Sequence, residues 1–259
     1  MTIVHRGIII ALYAFLLAPI AIVVLTSFSN DAYLAFPPSH WGLGGYVSLF
    51  RNQTFRAGME TSLTLAIVVT LLTLAMGTAA SFAMARFRFW GGGALLWFFT
   101  APLLLPTIVL GLALLLVFVQ LGLLASFTGL VIGHAVVAIP YVIRLMLTAI
   151  NNVPPTLEQV AATLGASPIR VFWRVTLPLM RPALLAAAAL AFLASFDEVT
   201  ITLFLVGPRL TTLPIAVFRY VQSHADPEIS ALSVLLIVLT IGVILLIERS
   251  LGLMRTVAR

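Results

Sequence analysis

The sequence contains no cysteine and no lysine, and it carries few charges of either sign. Without cysteine there are no disulfide bonds, no thiolate-bound metals, no iron–sulfur clusters and no cysteine nucleophile. The lack of lysine excludes a Walker A phosphate loop, whose consensus requires that residue. Any ATP hydrolysis linked to this protein therefore takes place on another chain.

Charge is scarce enough to exclude a water-soluble globular protein. Only 8% of the 259 residues are charged, whereas an average soluble domain has about 25%. Hydrophobic residues make up 62%, and the mean hydropathy is +1.17. The net charge of +6 comes from 14 arginines against 8 acids, which are too few to indicate a nucleic-acid partner. The composition predicts an integral, all-α membrane protein in contact with the lipid bilayer.

Six stretches are long and apolar enough to span a membrane, which takes about 20 residues. Interior prolines are tolerated in such helices because neighbouring helices satisfy the freed backbone groups. The predicted spans are Ile8–Phe28, Ser62–Ala85, Ala94–Val119, Thr128–Thr148, Ala183–Val206 and Ala231–Ile247.

The arginines predict the orientation of these spans. With the N-terminus inside, ten arginines fall on the cytoplasmic side and four on the outside, in agreement with the positive-inside rule. Both termini of this multi-pass chain are then cytoplasmic. The ten are Arg6, Arg86, Arg88, Arg144, Arg170, Arg174, Arg181, Arg249, Arg255 and Arg259.

Metal and hydrolase chemistry have no basis in the sequence. The four histidines never fall at metal-ligand spacing, so no metal site is predicted. The one G-x-S triplet, Gly165–Ser167, lies in a predicted loop and not in a buried turn. We expect His134, in the fourth span, to be a hydrogen-bonded core residue.

The most informative segment is the predicted cytoplasmic loop 150–182. Thr156 is a candidate N-cap for a short helix over Leu157–Leu164, which Gly165 can end in the left-handed conformation. Ser167 is then suited to begin a second helix, which Leu177-Pro178 ends near the bilayer. On physical grounds alone, this element is equally well an amphipathic pair of interfacial helices.

The spacing within this loop resembles the signature loop of permease subunits of binding-protein-dependent ABC importers. That signature has Glu-Ala-Ala, three residues, Gly, nine residues and Ile-x-Leu-Pro. Here Gly165 is followed by Val175-Thr176-Leu177-Pro178, whereas Gln159 stands at the Glu position and Glu158 precedes it. The resemblance implies that the loop docks on an ATPase subunit through Glu158, Gln159, Ala161, Gly165, Ala166, Leu177 and Pro178.

The rest of the chain resembles the second permease of spermidine/putrescine-type importers. The residues concerned are Tyr13 and Pro19, the outer-loop residues Trp41, Tyr46, Phe50 and Phe55, Ser195-Phe196-Asp197-Glu198-Val199, Gly207-Pro208 and Leu213-Pro214. The resemblance implies a type I ABC importer permease fold with six transmembrane helices, forming a single permease domain over residues 1–259 in the bacterial inner membrane. It also implies a second homologous permease, an ATPase dimer and a periplasmic binding protein as partners. ATP and Mg would be bound by the ATPase, with no cofactor and no catalytic residue in this chain.

Two adjacent acids in the fifth predicted span indicate the substrate class. An ionised acid within a span costs roughly 2.5–3.5 kcal/mol, so Asp197 and Glu198 need an explanation. One is a structural hydrogen-bonded pair at a helix bend; the other is a cation site in the translocation path. The path residues predicted are Ser195, Asp197, Glu198, Thr202 and Tyr13, with Glu198 expected to matter more because its helical strip is wetter.

Other substrates remain open at this point. Related permeases carry iron, phosphonates, opines or amino acid-like solutes, and an ATPase-independent secondary transporter is a further alternative. Secondary transporters often have paired, broken halves; no such pairing is visible in this chain.

Overall fold

The computed structural model describes residues 3–87, 89–224 and 226–251. Arg88, Arg255 and Arg259 of the predicted inside set lie outside these residues. The described helices are α1 (Ile3–Thr26), α2 (Gly44–Arg51), α3 (Gln53–Arg86), α4 (Gly92–Thr100), α5 (Thr107–Leu121), α6 (Phe127–Asn152), α7 (Pro155–Thr163), α8 (Pro168–Val171), α9 (Leu177–Leu179), α10 (Arg181–Phe196), α11 (Thr200–Leu205), α12 (Leu213–Ser223) and α13 (Pro227–Leu251). A 3₁₀ turn (Ala101–Leu104) follows α4, and a π-helical turn (Phe172–Thr176) joins α8 to α9. The predicted all-α class is confirmed.

The chain divides into two compact units. The first contains residues up to 57 together with 216–242, and the second contains 58–215 together with the described residues from 243 onward. In the first unit, α1 is an apolar helix with no buried residue in its span window. The prediction of one permease domain over the whole chain stays a prediction.

The second unit has a continuous apolar core. Its fully buried side chains come from α3, α5, α6, α10 and α11, with Val153 and Met180 at the ends of the 150–182 loop. Small residues let these helices approach closely, as is usual for helix packing in membranes. A Cβ added to Gly77 would lie 2.7 Å from Cγ1 of Val142. The backbone of α3 therefore packs directly against a side chain of α6 at this point.

Three of the six predicted spans are single long helices in the structure. Helices α1, α3 and α6 are long and apolar enough to cross a membrane, and up to five spans result among the described residues if each bent helix pair counts as one. The last predicted span falls on α13, whose described apolar part, Pro227–Gly242, is shorter. The predicted count of six spans stays a prediction.

The prediction that Ala94–Val119 forms one helix is wrong. The 3₁₀ turn ends at Leu104, α5 starts at Thr107, and the two axes are bent by 108°. Pro106 explains the break, because proline disfavours the helical conformation of the residue before it. Leu105 accordingly has φ −90° and ψ 140°, an extended conformation.

The prediction that Ala183–Val206 forms one helix is also wrong. Helix α10 ends at Phe196 and α11 begins at Thr200, so the acids Asp197 and Glu198 lie in a break between two helices. A second bend of 75° separates the helical stretch Pro168–Leu179 from α10. The fifth predicted span is therefore divided between α10 and α11.

Candidate functional site

The 150–182 loop folds as two helical pieces joined at Gly165, as predicted, but its first helix starts earlier. Helix α7 runs from Pro155 to Thr163 with Pro154 at the N-cap position, so Thr156 lies inside the helix and is not its cap. The physical reason is Pro155, whose missing N–H costs nothing at the first helical position and whose φ is preset for a helix.

Gly165 ends α7 in a Schellman motif. Its φ is +85°, its own N–H donates to the carbonyl of Ala162 over 2.9 Å, and the N–H of Ala166 donates to the carbonyl of Ala161 over 3.1 Å. This pair of bonds defines the motif and requires a left-handed residue between the two helices. An added Cβ would meet nothing within 4 Å, so glycine is favoured here by its backbone conformation and not by lack of space.

The second helical piece begins and ends close to the predicted residues. Ser167 is the N-cap residue and Pro168 occupies the first turn of α8, although Ser167 makes no side-chain cap bond. The helix continues past Leu177-Pro178 to Leu179. A π turn makes this possible: the N–H of Leu177 donates to the carbonyl of Phe172, so the proline is accommodated without a sharp stop.

Glu158 is the structural centre of the loop. Arg86, the last residue of α3, donates to it in a two-pronged ion pair, with Nε–Oε2 at 2.9 Å and Nη2–Oε1 at 3.1 Å. The hydroxyl of Thr176 also donates to Oε1, over 2.9 Å. The same Arg86 Nη2 donates to the carbonyls of Ile150 and Val153 at the end of α6. These bonds join α3, α6, α7 and the π turn, and both charged side chains are largely buried.

Gln159, by contrast, is exposed. The two candidates for the role of the signature Glu therefore differ in burial: Glu158 is largely buried in the ion pair, and Gln159 faces outward. Ala161, Ala166, Leu177 and Pro178 are half-buried. The loop has large exposed apolar side chains at Leu157, Val160, Leu164, Ile169 and Trp173. Exposed apolar side chains in such number are suited to a contact with another protein.

The acid segment, residues 195–202, is built around His134 of α6. Its Nδ1 lies 3.0 Å from Oγ and 3.1 Å from the carbonyl oxygen of Ser195, and its Nε2 lies 3.0 Å from Oγ1 of Thr202. The imidazole is 1% exposed and thus bridges the end of α10 to α11 across the break. The expectation of a hydrogen-bonded core histidine is confirmed, but its role in holding a broken helix was not foreseen.

The two acids have different surroundings. Glu198 is half-buried, and its Oε1 accepts a hydrogen bond from the N–H of Ile201 over 2.9 Å, which caps the start of α11. Asp197 is exposed and makes no side-chain hydrogen bond or ion pair with the described residues. The reason given for favouring Glu198, a wetter helical strip, is therefore wrong, because the helix that defined the strip ends at Phe196.

The structure brings together four of the five predicted path residues. Ser195 and Thr202 are buried and share His134, and Asp197 and Glu198 lie between them. All four belong to the second unit, whereas Tyr13 is an exposed residue of α1 in the first. Among the described residues there is no group of three or more His, Cys, Asp or Glu able to hold a metal ion.

The first unit contains a polar cluster that the sequence reasoning missed. Glu228, in the first turn of α13, is 7% exposed and accepts hydrogen bonds from Ser48 Oγ (2.6 Å) and Asn52 Nδ2 (3.0 Å). The Tyr220 hydroxyl donates to Asp226 over 2.7 Å. Burial raises the pKa of Tyr220, and the neighbouring carboxylates Asp226 and Glu228 raise it further. A signal was present in the i, i+4 spacing of Ser48 and Asn52.

Comparison with known proteins identifies a family whose sequences this chain matches. The sequence pattern of a family described as "Binding-protein-dependent transport system inner membrane component" matches residues 75–254. The putrescine transport system permease protein PotI of Escherichia coli (strain K12) is 33% identical over 232 residues, which cover 87% of this chain and 82% of that protein.

A second relative and a solved structure extend the comparison. The spermidine/putrescine transport system permease protein PotC of Haemophilus influenzae (strain ATCC 51907 / DSM 11121 / KW20 / Rd) is 31% identical over 235 residues, covering 90% of this chain and 91% of that protein. The fold is similar to a chain in the crystal structure of a bacterial ABC transporter involved in the import of the acidic polysaccharide alginate. That likeness has a TM-score of 0.76, a sequence identity of 17% and a coverage of 95% of each chain.

Proposed function

The chain belongs to the family of inner membrane components of binding-protein-dependent transport systems, and from this premise we propose that it is the permease subunit of an ATP-driven importer of polyamine cations. The observation that carries the proposal is the 150–182 loop. Its hydrogen bonds to the ends of α3 and α6 and its exposed apolar side chains suit it to dock on another subunit.

The loop transmits motion because it is fixed to more than one membrane helix. Arg86 connects it to α3, and the carbonyls of Ile150 and Val153 connect it to α6. A displacement of α7 is therefore passed to both helices. We infer that ATP and Mg are bound by a dimer of ATPase subunits, that the dimer engages this loop, and that closure of the dimer drives the spans between outward-open and inward-open states.

The substrate class rests on the two named relatives and on the acid segment. The relatives are named as putrescine and spermidine/putrescine permeases, and putrescine and spermidine carry ammonium groups. A cation that leaves water needs compensation by negative charge, and the exposed carboxylate of Asp197 offers it. Ser195, Glu198, Thr202 and Tyr13 complete the proposed path. The paired carboxylate of Glu198 is the weaker candidate because it already caps α11.

The other partners follow from the same proposal. A second homologous permease completes the translocation path, and a periplasmic binding protein delivers the substrate. With both termini in the cytoplasm, the 150–182 loop faces the ATPase.

This topology is testable with single cysteines, because the chain has none of its own. In intact cells, a membrane-impermeant maleimide is expected to label a cysteine at Ser223 or Asn52 and to leave one at Pro155 unlabelled until the cells are lysed. Labelling of Pro155→Cys from outside would overturn the orientation.

The function itself is tested by uptake into proteoliposomes that contain the assembled transporter. We expect radiolabelled putrescine to accumulate only when both ATP and the binding protein are supplied. Accumulation driven by an ion gradient without ATP would indicate a secondary transporter, and accumulation of an anionic solute in preference to putrescine would overturn the substrate class.

A further inference from the structure

A groove in the second unit combines one free cation with apolar walls. It lies between α4 and α6, has a volume of about 350 Å³, and is lined by Leu96, Trp97, Thr100, Arg144, Leu147 and Thr148. One of the lining residues, Trp97, is 70% exposed. Arg144 is exposed as well.

Arg144 has no protein partner in the described part of the chain. Its side chain makes no hydrogen bond or ion pair with the described residues, in contrast to Arg86, which has four such bonds. Arg144 lies eight residues before Asn152, the end of α6, or about 12 Å along the helix. Arg144 thus lies toward the cytoplasmic end of this helix, where an arginine without a protein partner is stabilised by a counter-charge or by the lipid headgroups.

The charged group of the groove is a donor. The hydroxyls of Thr100 and Thr148 donate to the carbonyls of Leu96 and Arg144 within their own helices, which leaves their oxygens as neutral acceptors. The guanidinium of Arg144 and the indole N–H of Trp97 are donors only, and the guanidinium carries the one charge of the lining. The lining contains no carboxylate, so the site favours an anion over a cation.

We propose that this groove binds an anionic phospholipid, with the lipid phosphate on Arg144 and Trp97 and an acyl chain along Leu96 and Leu147. The apolar walls favour a lipid over a free anion. They would remove water from a free phosphate without making hydrogen bonds to it, whereas they can pack against the acyl chain of a lipid. Basic pockets between helices near the membrane surface are suited to lipid headgroups, and tryptophan is enriched at that level. The proposal depends on membrane insertion and is independent of the transported substrate.

The test uses a fluorescent bimane on Tyr141→Cys in the assembled transporter, reconstituted into vesicles with increasing fractions of brominated lipid. Tyr141 is an exposed residue of α6 that precedes Arg144 by three positions and lies outside the lining. Wild-type complex treated with bimane corrects for cysteines in the other subunits. Brominated phosphatidylglycerol is expected to quench the label half-maximally at a lipid fraction about fivefold lower than brominated phosphatidylcholine. The factor of about five corresponds to the attraction between one arginine at the membrane surface and an anionic lipid. A label on Val119→Cys, an exposed residue of α5 outside the lining, should show no such preference.

Variants of the arginine provide the controls. Arg144→Gln is expected to abolish the preference for phosphatidylglycerol, Arg144→Lys to retain part of it, and Arg174→Gln, an exposed arginine of the 150–182 loop, to leave it unchanged. If Arg144→Gln does not assemble, the wild-type and Arg144→Lys titrations still decide the matter.

Three results would overturn the proposal. The first is equal quenching by the two lipids in the wild type. The second is relief of the quenching by millimolar inorganic phosphate, which would indicate a free-anion site. The third is a Tyr141→Cys label that neither lipid quenches while the Val119→Cys label is quenched, which would show that a protein covers the groove.

Discussion

Two carboxylates of the second unit, Glu158 and Asp197, differ in their hydrogen-bond partners. Glu158 lies in the first turn of α7, and Asp197 lies in the break between α10 and α11. Glu158 receives three hydrogen bonds from Arg86 and Thr176, whereas Asp197 is exposed and has no side-chain partner among the described residues. A carboxylate that accepts several hydrogen bonds from neighbouring helices holds those helices together. A carboxylate without a partner is free to bind a cation.

The two segments are also held by different means. The 150–182 loop has an ion pair between helices, and the acid segment has the side chain of His134, which contacts residues on both sides of the break. In both cases a side chain from a neighbouring long helix supplies what the interrupted backbone lacks. The comparison predicts that substitutions at the braces reduce stability, while substitution of the free acid reduces transport.

The largest effect on stability is expected at the ion pair. Arg86→Ala leaves a mostly buried carboxylate without its cation and frees two carbonyls, so we expect a loss of about 2–3 kcal/mol, below the value for a fully buried pair because the groups are partly solvated. The apparent Tm of the purified complex should fall by about 5–10 °C. Arg170→Ala, an exposed arginine of the same loop with no side-chain partner among the described residues, is the matched control. An equal Tm in both variants would contradict the claim that the Arg86–Glu158 ion pair stabilises the 150–182 loop.

A smaller loss of stability is expected at His134. His134→Leu removes the contacts to Ser195 and Thr202 at nearly constant volume, which should cost about 1–2 kcal/mol. His134→Asn can keep the bond to Ser195 and His134→Gln the bond to Thr202, so each should recover part of the loss. Measurement of Tm together with putrescine uptake checks this. If His134→Leu is as stable and as active as the wild type, the break is held by other contacts.

The next effect is local to the docking element. Gly165→Val forces a β-branched residue into φ +85° at a cost of about 1–2 kcal/mol. We expect this to misplace α8 and reduce substrate-stimulated ATP hydrolysis while assembly is retained. Gly165→Asn, which tolerates that conformation, should retain more stimulation. Gly93→Val is the control, since Gly93 also faces open space but has no left-handed φ; equal stimulation in all three would count against a coupling role.

Local chemistry allowed much of this structure to be predicted, and tertiary contacts decided the rest. The left-handed turn at Gly165 and the uninterrupted helices α3 and α6 follow from glycine, proline and hydrophobic patterns. Pro106 was also a signal for the break at Leu105–Pro106, but the long apolar run around it favoured the prediction of one continuous span. The break at residues 197–199 was foreseen only as one of two explanations for the acid pair, because the histidine that contacts both sides of it, His134, lies 61 residues before Ser195. The Arg86–Glu158 pair spans 72 residues and has no local signal either.

The measurement that tests the account most directly is putrescine uptake per assembled complex for Asp197→Asn beside Glu198→Gln and the wild type. Loss of one free carboxylate facing a cation in a wet path should slow uptake about fivefold in Asp197→Asn, corresponding to roughly 1 kcal/mol, with an unchanged Tm. Glu198→Gln, which can still accept the N–H of Ile201 through its amide oxygen, should have the smaller effect on uptake. Wild-type uptake by Asp197→Asn would contradict the claim that the unpaired acid serves the substrate, and a complex that fails to assemble would show that Asp197 is structural.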